Sequence, residues 1–229
     1  DENNRMMGII TVDDAMDIEK EQDASQLARF GGTATAGDSD LDILKSPLGT
    51  MFRVRVFWLV FLTVFGVITS SFVAAQEEML SKVIVLAAFI APIVDMGGNT
   101  GSQSATLVIR AMAVGDVELC WADMWRVLRR DMPVACALGV TVAVLEGVLA
   151  YFSKDIGLDV ILTVGLSMFV CTAAGGVIGL VLPFLARRMG TDPATLSSPL
   201  ITSVMDLLGV FIYFGFAYLF LGDLLNTAL

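Results

Sequence analysis

The sequence predicts an all-α polytopic membrane protein with five transmembrane helices per chain. Of its 229 residues, 56% are hydrophobic, and the mean hydropathy is +0.77, whereas soluble domains contain roughly 45–50% apolar residues. Five apolar runs also reach or exceed the ~18 residues that mark a bilayer-spanning helix. The predicted spans cover residues 56–75, 83–109, 133–152, 160–185 and 200–221.

The segment before the first span is acidic and polar. Residues 1–50 contain 11 Asp or Glu and 4 Lys or Arg, which gives −7 of the total net charge of −10. Residues 5–12 predict a short strand because they are rich in apolar and β-branched side chains. A helix is expected from Asp13 to Phe30, because acids suit its first turn and Gly31 and Gly32 suit its end. One strand and one helix cannot bury a core, so we expect this remnant to belong to a domain that starts before residue 1.

The basic residues predict the orientation of the spans. They cluster before the first span, between the second and third, and between the fourth and fifth, whereas the opposite loops hold only Lys82 and Lys154. By the positive-inside rule this pattern places the N-terminus in the cytoplasm and the C-terminus outside. The clustered residues are Lys45, Arg53, Arg55, Arg110, Arg126, Arg129, Arg130, Arg187 and Arg188.

Three carboxylates, Asp95, Glu146 and Asp206, interrupt the spans, and no Lys, Arg or His accompanies them. An acid at membrane depth costs roughly 2.5–3.5 kcal/mol even on lenient insertion scales. Without a basic partner it must be neutral, face water or meet a cation. This pattern indicates cation transport.

The second span carries a polar stripe. Asp95, Asn99 and Gln103 are spaced i, i+4, i+8, so they share one face of a helix. Gly97 and Gly98 lie between them and allow either a close helix contact or a break in the helix. Carboxylate and amide oxygens suit hard cations. The alternative is that the two amides only join helices through hydrogen bonds.

The fifth span repeats the spacing with Ser198, Thr202 and Asp206. The hydroxyls of Ser198 and Thr202 and the carboxylate of Asp206 would form a hydrated polar face on an otherwise apolar helix. The alternative for the hydroxyls is hydrogen bonding to the preceding turn of their own helix. Glu146 has no polar residue one turn away on either side, so we expect it to make a structural contact or to border an outer vestibule.

A site of hard oxygen ligands without clustered Cys or His favours Mg²⁺, which keeps several of its waters. A divalent ion about 4.5 Å from one carboxylate gains roughly 7 kcal/mol at an effective dielectric constant near 20, before desolvation. The chain supplies Asp206 once, so a homodimer is the economical way to bring two such carboxylates together.

Three segments resemble the MgtE family of magnesium channels. They are residues 92–103 (PIVDMGGNTGSQ), residues 104–117 (SATLVIRAMAVGDV) and residues 192–214 (DPATLSSPLITSVMDLLGVFIYF). The resemblance covers the membrane region and implies a homodimer whose second and fifth helices line a central pore for Mg²⁺. It implies that Asp206 is the pore carboxylate, with Thr202 and Ser198 one and two turns below it. The glycines Gly97 and Gly98, together with Asn99, match the second-helix motif of the family.

The same resemblance divides the chain into three parts. Residues 1–22 look like the tail of a CBS domain, residues 23–52 like a connecting helix and linker, and residues 53–229 like the pore domain. Asp192 matches a position that resembles a regulatory Mg²⁺ ligand. Ser25 and Gln26 stand where relatives can carry paired acids, which is a departure from the family pattern. The implied location is the inner membrane of a bacterium or archaeon.

No enzymatic motif is present: the chain has no His, no paired nucleophile and base, and no phosphate-binding loop. The acidic segment of residues 1–50 repels nucleic acid and anionic lipid. The expected partners are therefore a second copy of the chain, the lipid bilayer and divalent cations. Two alternatives to a magnesium channel remain open at this point. One is a proton- or sodium-coupled carrier in which Asp95 and Asp206 titrate, and the other is a membrane scaffold that transports nothing.

Overall fold

The computed structural model describes residues 8–33, 41, 43–118, 120–154, 156–195 and 198–226. Every regular element within these residues is helical. The α-helices are α1 (Val12–Phe30), α2 (Leu48–Ala74), α3 (Glu77–Lys82), α4 (Ala87–Ala113), α5 (Trp121–Lys154), α6 (Leu158–Arg188) and α7 (Ser198–Asn226). Short 3-10 helices at Ile84–Leu86 and Pro193–Thr195 precede α4 and α7.

Five helices of the described chain, α2, α4, α5, α6 and α7, are long and apolar enough to cross a membrane. Their candidate spans contain 25 to 32 residues, which corresponds to about 38–48 Å at 1.5 Å per residue. The hydrocarbon core is only about 30 Å thick, so these helices tilt or extend beyond it. The predicted all-α fold with five membrane helices is thus confirmed. The cytoplasmic position of the N-terminus stays a prediction.

The predicted strand is wrong for the part that the structure describes. Residues 8–11 have no regular structure and Val12 already belongs to α1, while residues 5–7 lie outside the described residues. A β-strand needs a neighbouring strand for its hydrogen bonds. No strand occurs anywhere in the described part of the chain, so the apolar pattern of these residues is not sufficient to form one.

Helix α1 begins and ends close to the predicted residues. The backbone N–H of Thr11 donates a hydrogen bond to Asp14 Oδ2 over 3.2 Å, and the Thr11 hydroxyl donates to the same oxygen. The hydroxyl contact lowers the pKa of Asp14 below its usual value. At the other end, Gly32 has a φ of 69°, a left-handed conformation that favours glycine and ends the helix.

Helices α4 and α6 form the centre of the bundle, where their backbones meet almost directly. Gly97 and Gly101 of α4 lie against Gly175 and Gly179 of α6. A methyl group at Gly175 would come within 3.1 Å of the Gly97 Cα, and one at Gly179 within 2.7 Å of the Gly101 Cα. On each helix the two glycines are four residues apart, which is the spacing of small residues that allows close helix contacts in membranes.

An apolar core fills the space between α4, α6 and α7 toward the end that contains α3. Phe89 and Ile93 of α4, Met168 of α6 and Phe214 of α7 are fully or almost fully buried in it. The buried Tyr213 hydroxyl donates a hydrogen bond to the Leu86 carbonyl oxygen over 2.9 Å. That bond joins the start of α4 to α7.

Helix α2 lies at the edge of the bundle and packs mainly against α7. Phe72 contacts the rings of Phe211 and Phe214 at centroid distances of 4.2 Å and 6.1 Å. Val54 is its one buried residue, and most of its other large apolar side chains are exposed. Such a surface requires lipid or another protein around it.

Candidate functional site

The polar stripe of α4 faces outward from the bundle. The side chains of Asp95, Asn99 and Gln103 are all exposed, as the i, i+4, i+8 spacing predicts for one helical face. The Asn99 amide donates a hydrogen bond from Nδ2 to Asp95 Oδ2 over 2.9 Å. This bond leaves the second Asp95 oxygen for another partner and holds the Asn99 oxygen on the same face.

The polar stripe of α7 lies beside that of α4. Ser198, Thr202 and Asp206 are half-buried, and Asp206 is near enough to Asp95 for the two negative charges to repel each other. The Thr202 hydroxyl donates to the Ser198 carbonyl over 2.9 Å, so this residue makes the back-bond that was the simpler alternative for it. The Ser198 hydroxyl instead reaches α4 and donates to the Ser102 hydroxyl over 2.8 Å.

Small residues allow the two stripes to lie so close together. A methyl group at Gly98 would stand 3.3 Å from the Thr202 Cα, and one at Gly209 would stand 3.2 Å from the Val94 Cα. Gly97 lies between two helices, because a methyl group there would meet the Met205 side chain of α7 at 2.8 Å and the Cys171 carbonyl oxygen of α6 at 3.1 Å. Gly97 and Gly98 are therefore buried between helices, and their assignment as pore-lining residues stays a prediction.

A groove of about 480 Å³ runs along the exposed side of α4 toward α5. Its polar wall includes the side chains of Asn99, Ser102, Gln103 and Thr106, and its apolar wall includes Leu138 and Val142 of α5. Sequence reasoning missed Ser102 and Thr106. Their spacing of four residues, continuing from Gly98, was the signal that could have identified them.

The third intramembrane acid lies on a different helix from the two stripes. Glu146 is half-buried on α5, one helical turn beyond Val142, which borders the groove. The structure thus brings Asp95 and Asp206 close enough to interact electrostatically and holds Glu146 on α5, outside both stripes.

Asp192 lies in the loop before α7, where its carboxylate is held by two groups. Its Oδ1 accepts a hydrogen bond from the Ala194 backbone N–H over 2.9 Å, and its Oδ2 forms an ion pair with the guanidinium of Arg29 at the end of α1. The Arg29 and Asp192 side chains are each 31% exposed. The position predicted to bind a regulatory metal thus carries an internal cation in this structure.

A single chain supplies few acidic ligands for a metal ion at this site. Within the residues that the structure describes, no group of three or more His, Cys, Asp or Glu side chains could hold a metal ion together. The two neighbouring carboxylates, Asp95 and Asp206, lie among amides and hydroxyls. This arrangement attracts cations but does not provide the six to eight oxygen ligands that a dehydrated Ca²⁺ needs.

These features define a multi-pass helical membrane protein with a cation-attracting face formed by two of its helices. Residues 90–216 match the MgtE family model, which is described as a divalent cation transporter. The matched region covers more than half of the chain, so the protein belongs to the MgtE family. It is a protein of the cell membrane, as its five apolar helices and this family indicate.

Three relatives extend the comparison. The chain is 36% identical over 224 residues to a magnesium transporter MgtE from Thermus thermophilus, and the match covers 96% of this chain and 48% of the relative. It is 30% identical to one from Bacillus subtilis, with 98% and 48% covered, and 28% identical to one from Enterococcus faecalis, with 96% and 47% covered. The chain spans about half the length of the curated relatives it matches.

Proposed function

We propose that this chain forms the membrane part of a magnesium transporter and that hydrated Mg²⁺ passes along the stripes of α4 and α7. The observation that carries the proposal is the pair of neighbouring carboxylates, Asp95 and Asp206, inside apolar helices. No basic side chain is recorded as pairing with either one among the described residues. The printed names of the three relatives, all magnesium transporters, support the same cargo.

The electrostatic energy favours a divalent ion that keeps its water. At about 4.5 Å, which is a water-mediated distance, one carboxylate attracts a divalent ion by roughly 7 kcal/mol at an effective dielectric constant near 20, and a monovalent ion by half as much. Two carboxylates double both values and therefore double the difference between the ions. A hydrated ion also needs no complete set of protein ligands.

We propose further that two copies of the chain complete the site. Support comes from the exposure of Asp95, Asn99 and Gln103 on α4, because a carboxylate that faced lipid would cost roughly 2.5–3.5 kcal/mol. A second copy that placed the same face opposite would enclose water and bring a second Asp206 near the first. The ion is proposed to pass through this dimer axis down its electrochemical gradient, as the family resemblance implies.

Regulation is proposed to involve Asp192 at the basic end of the bundle. The Asp192 carboxylate lies between α1 and α7, so it attracts any cation that enters the gap between these helices. In this chain Arg29 supplies such a cation, so a metal ion would have to displace the guanidinium to bind Asp192. Residues 1–22 are proposed to belong to a CBS domain and residues 23–52 to a connecting segment.

The decisive experiment compares ion flux in liposomes between the unchanged chain and Asp206→Asn. We expect Mg²⁺ uptake to fall at least tenfold in the variant, because the neutral amide loses the charge and keeps the shape. Glu146→Gln is the matched control, since it also replaces one intramembrane acid by the amide of the same shape and should leave uptake at high salt within about twofold. Normal uptake by Asp206→Asn would refute the assignment of the site.

The same assay separates the alternatives. Uptake that depends on an imposed proton or sodium gradient and shows no preference for divalent ions would establish a coupled carrier. A complete lack of flux in the unchanged chain, at an insertion efficiency equal to that of an active relative, would favour the scaffold. Cross-linking of a cysteine placed at Gln103 across two copies tests the dimer, and its failure under conditions of active transport would refute that part.

A further inference from the structure

A basic and aromatic surface lies where α5 begins and α6 ends. Trp121, Trp125 and Arg129 of α5 and Arg188 of α6 form it, and we call it the α5–α6 patch. The two indole rings are 58% and 51% exposed, and the two arginine side chains are exposed as well. Large exposed aromatic side chains beside arginines mark an interaction surface more often than a packing feature.

Each of the two arginines lies over one of the two rings. The Arg188 guanidinium carbon lies 4.7 Å from the Trp121 ring centroid, and that of Arg129 lies 5.2 Å from the Trp125 ring centroid. A guanidinium beside an aromatic ring keeps N–H groups for other acceptors. Each pair therefore offers donors of the kind that bind phosphate oxygens.

The length of α5 places this surface outside the hydrocarbon. The candidate span of α5 contains 32 residues and is about 48 Å long, against about 30 Å for the hydrocarbon core. The arginines keep the first part of α5 out of that core, since each would cost roughly 2.5–3.5 kcal/mol at its centre. Trp and Arg side chains at such a position lie at the level of the lipid headgroups.

The positive charge of the patch is local. The whole chain carries a net charge of −10, so its overall field repels anions and does not explain an anionic ligand. The buried acid Asp123 of α5 is already engaged by Arg126 at 2.7 Å and by the Glu118 backbone N–H at 2.9 Å. It therefore does not cancel the charge of Arg129 and Arg188.

We propose that the α5–α6 patch binds the headgroup of an anionic phospholipid in the adjoining leaflet. The phosphate lies between the donor edges of Arg129 and Arg188, and the two indole rings contact the glycerol backbone and the upper acyl chains. The chemistry selects an anionic phosphodiester over a zwitterionic lipid, because a choline group would place a second positive charge beside the arginines.

The test measures lipid binding to the full chain in neutral detergent by native mass spectrometry. The probes are phosphatidylglycerol and phosphatidylcholine with identical acyl chains. We expect the first phosphatidylglycerol to bind at least tenfold more tightly than phosphatidylcholine, and this preference to fall at least tenfold in the double variant Arg129→Gln, Arg188→Gln. The control, Arg53→Gln with Arg55→Gln, removes the same charge from α2, and it should change the preference less than threefold.

Three results would overturn the proposal. Equal binding of the two lipids would exclude an anionic site, and equal losses in the two double variants would assign the effect to diffuse charge. Competition by millimolar glycerol phosphate would identify a soluble phosphate ligand instead. The variant Arg129→Lys with Arg188→Lys keeps the charge and loses the guanidinium donors, so at least a threefold loss is expected. If circular dichroism shows that the glutamine variant is unfolded, this lysine variant takes its place in the test.

Discussion

The contact between α4 and α6 gives the sharpest prediction, through the substitution Gly179→Ala. A methyl group there would overlap the Gly101 carbonyl oxygen and lie 2.7 Å from the Gly101 Cα, whereas carbon atoms pack best at about 3.5–4.0 Å. The two backbones would have to separate by more than about 1 Å, because none of these atoms belongs to a flexible side chain. Overpacking of this kind costs about 1–3 kcal/mol.

The matched control is Gly165→Ala on the same helix, where a new Cβ would meet nothing within 4 Å. Both substitutions gain the helix propensity of alanine, about 1 kcal/mol, so their difference isolates the packing cost. We expect thermal unfolding in detergent, followed by circular dichroism, to show Gly179→Ala about 2–10 °C below Gly165→Ala.

Transport should follow the same order, because α4 carries Asp95 and a displaced α4 separates it from Asp206. We expect Mg²⁺ flux of Gly179→Ala to fall severalfold while Gly165→Ala remains within about twofold of the unchanged chain. If the two variants unfolded at the same temperature and transported equally, the close approach of α4 to α6 would be refuted.

Three further predictions concern side chains around the site. Asn99→Leu should lower Mg²⁺ flux in liposomes more than it lowers expression, because it removes the hydrogen bond to Asp95 and one oxygen ligand; equal losses would support a role in packing alone. Arg29→Gln should speed hydrogen exchange of α1, measured by mass spectrometry, since the pair with Asp192 is lost, and unchanged exchange would show that the ion pair does not hold α1. Glu146→Gln should reduce flux only at low salt if this acid concentrates cations at the outer mouth, and a loss that persists at high salt would place it in the conduction path.

The sequence alone determined the class of the molecule and the chemistry of its stripes. Hydrophobic length is a property of one segment, because a spanning helix satisfies its backbone hydrogen bonds within itself. The i, i+4, i+8 spacing likewise fixes which side chains share a face, as the exposed Asp95, Asn99 and Gln103 show. The end of α1 at Gly31 and Gly32 was predictable for the same local reason.

The predicted strand over residues 5–12 shows where local reasoning fails. A strand is stabilised by a partner strand, and the sequence pattern cannot supply one. Helix α1 instead begins at Val12, because Thr11 and Asp14 cap it through contacts only three residues apart.

Only the tertiary structure decided which helix each face meets. It placed Gly97 against the backbone of α6 as well as Met205 of α7, and Gly98 against Thr202 of α7, although the two glycines are adjacent in sequence. It also paired Ser198 with Ser102 and Arg29 with Asp192, which are 163 residues apart. Such contacts depend on how the surfaces of several helices fit together in three dimensions, and no spacing within one helix encodes that fit.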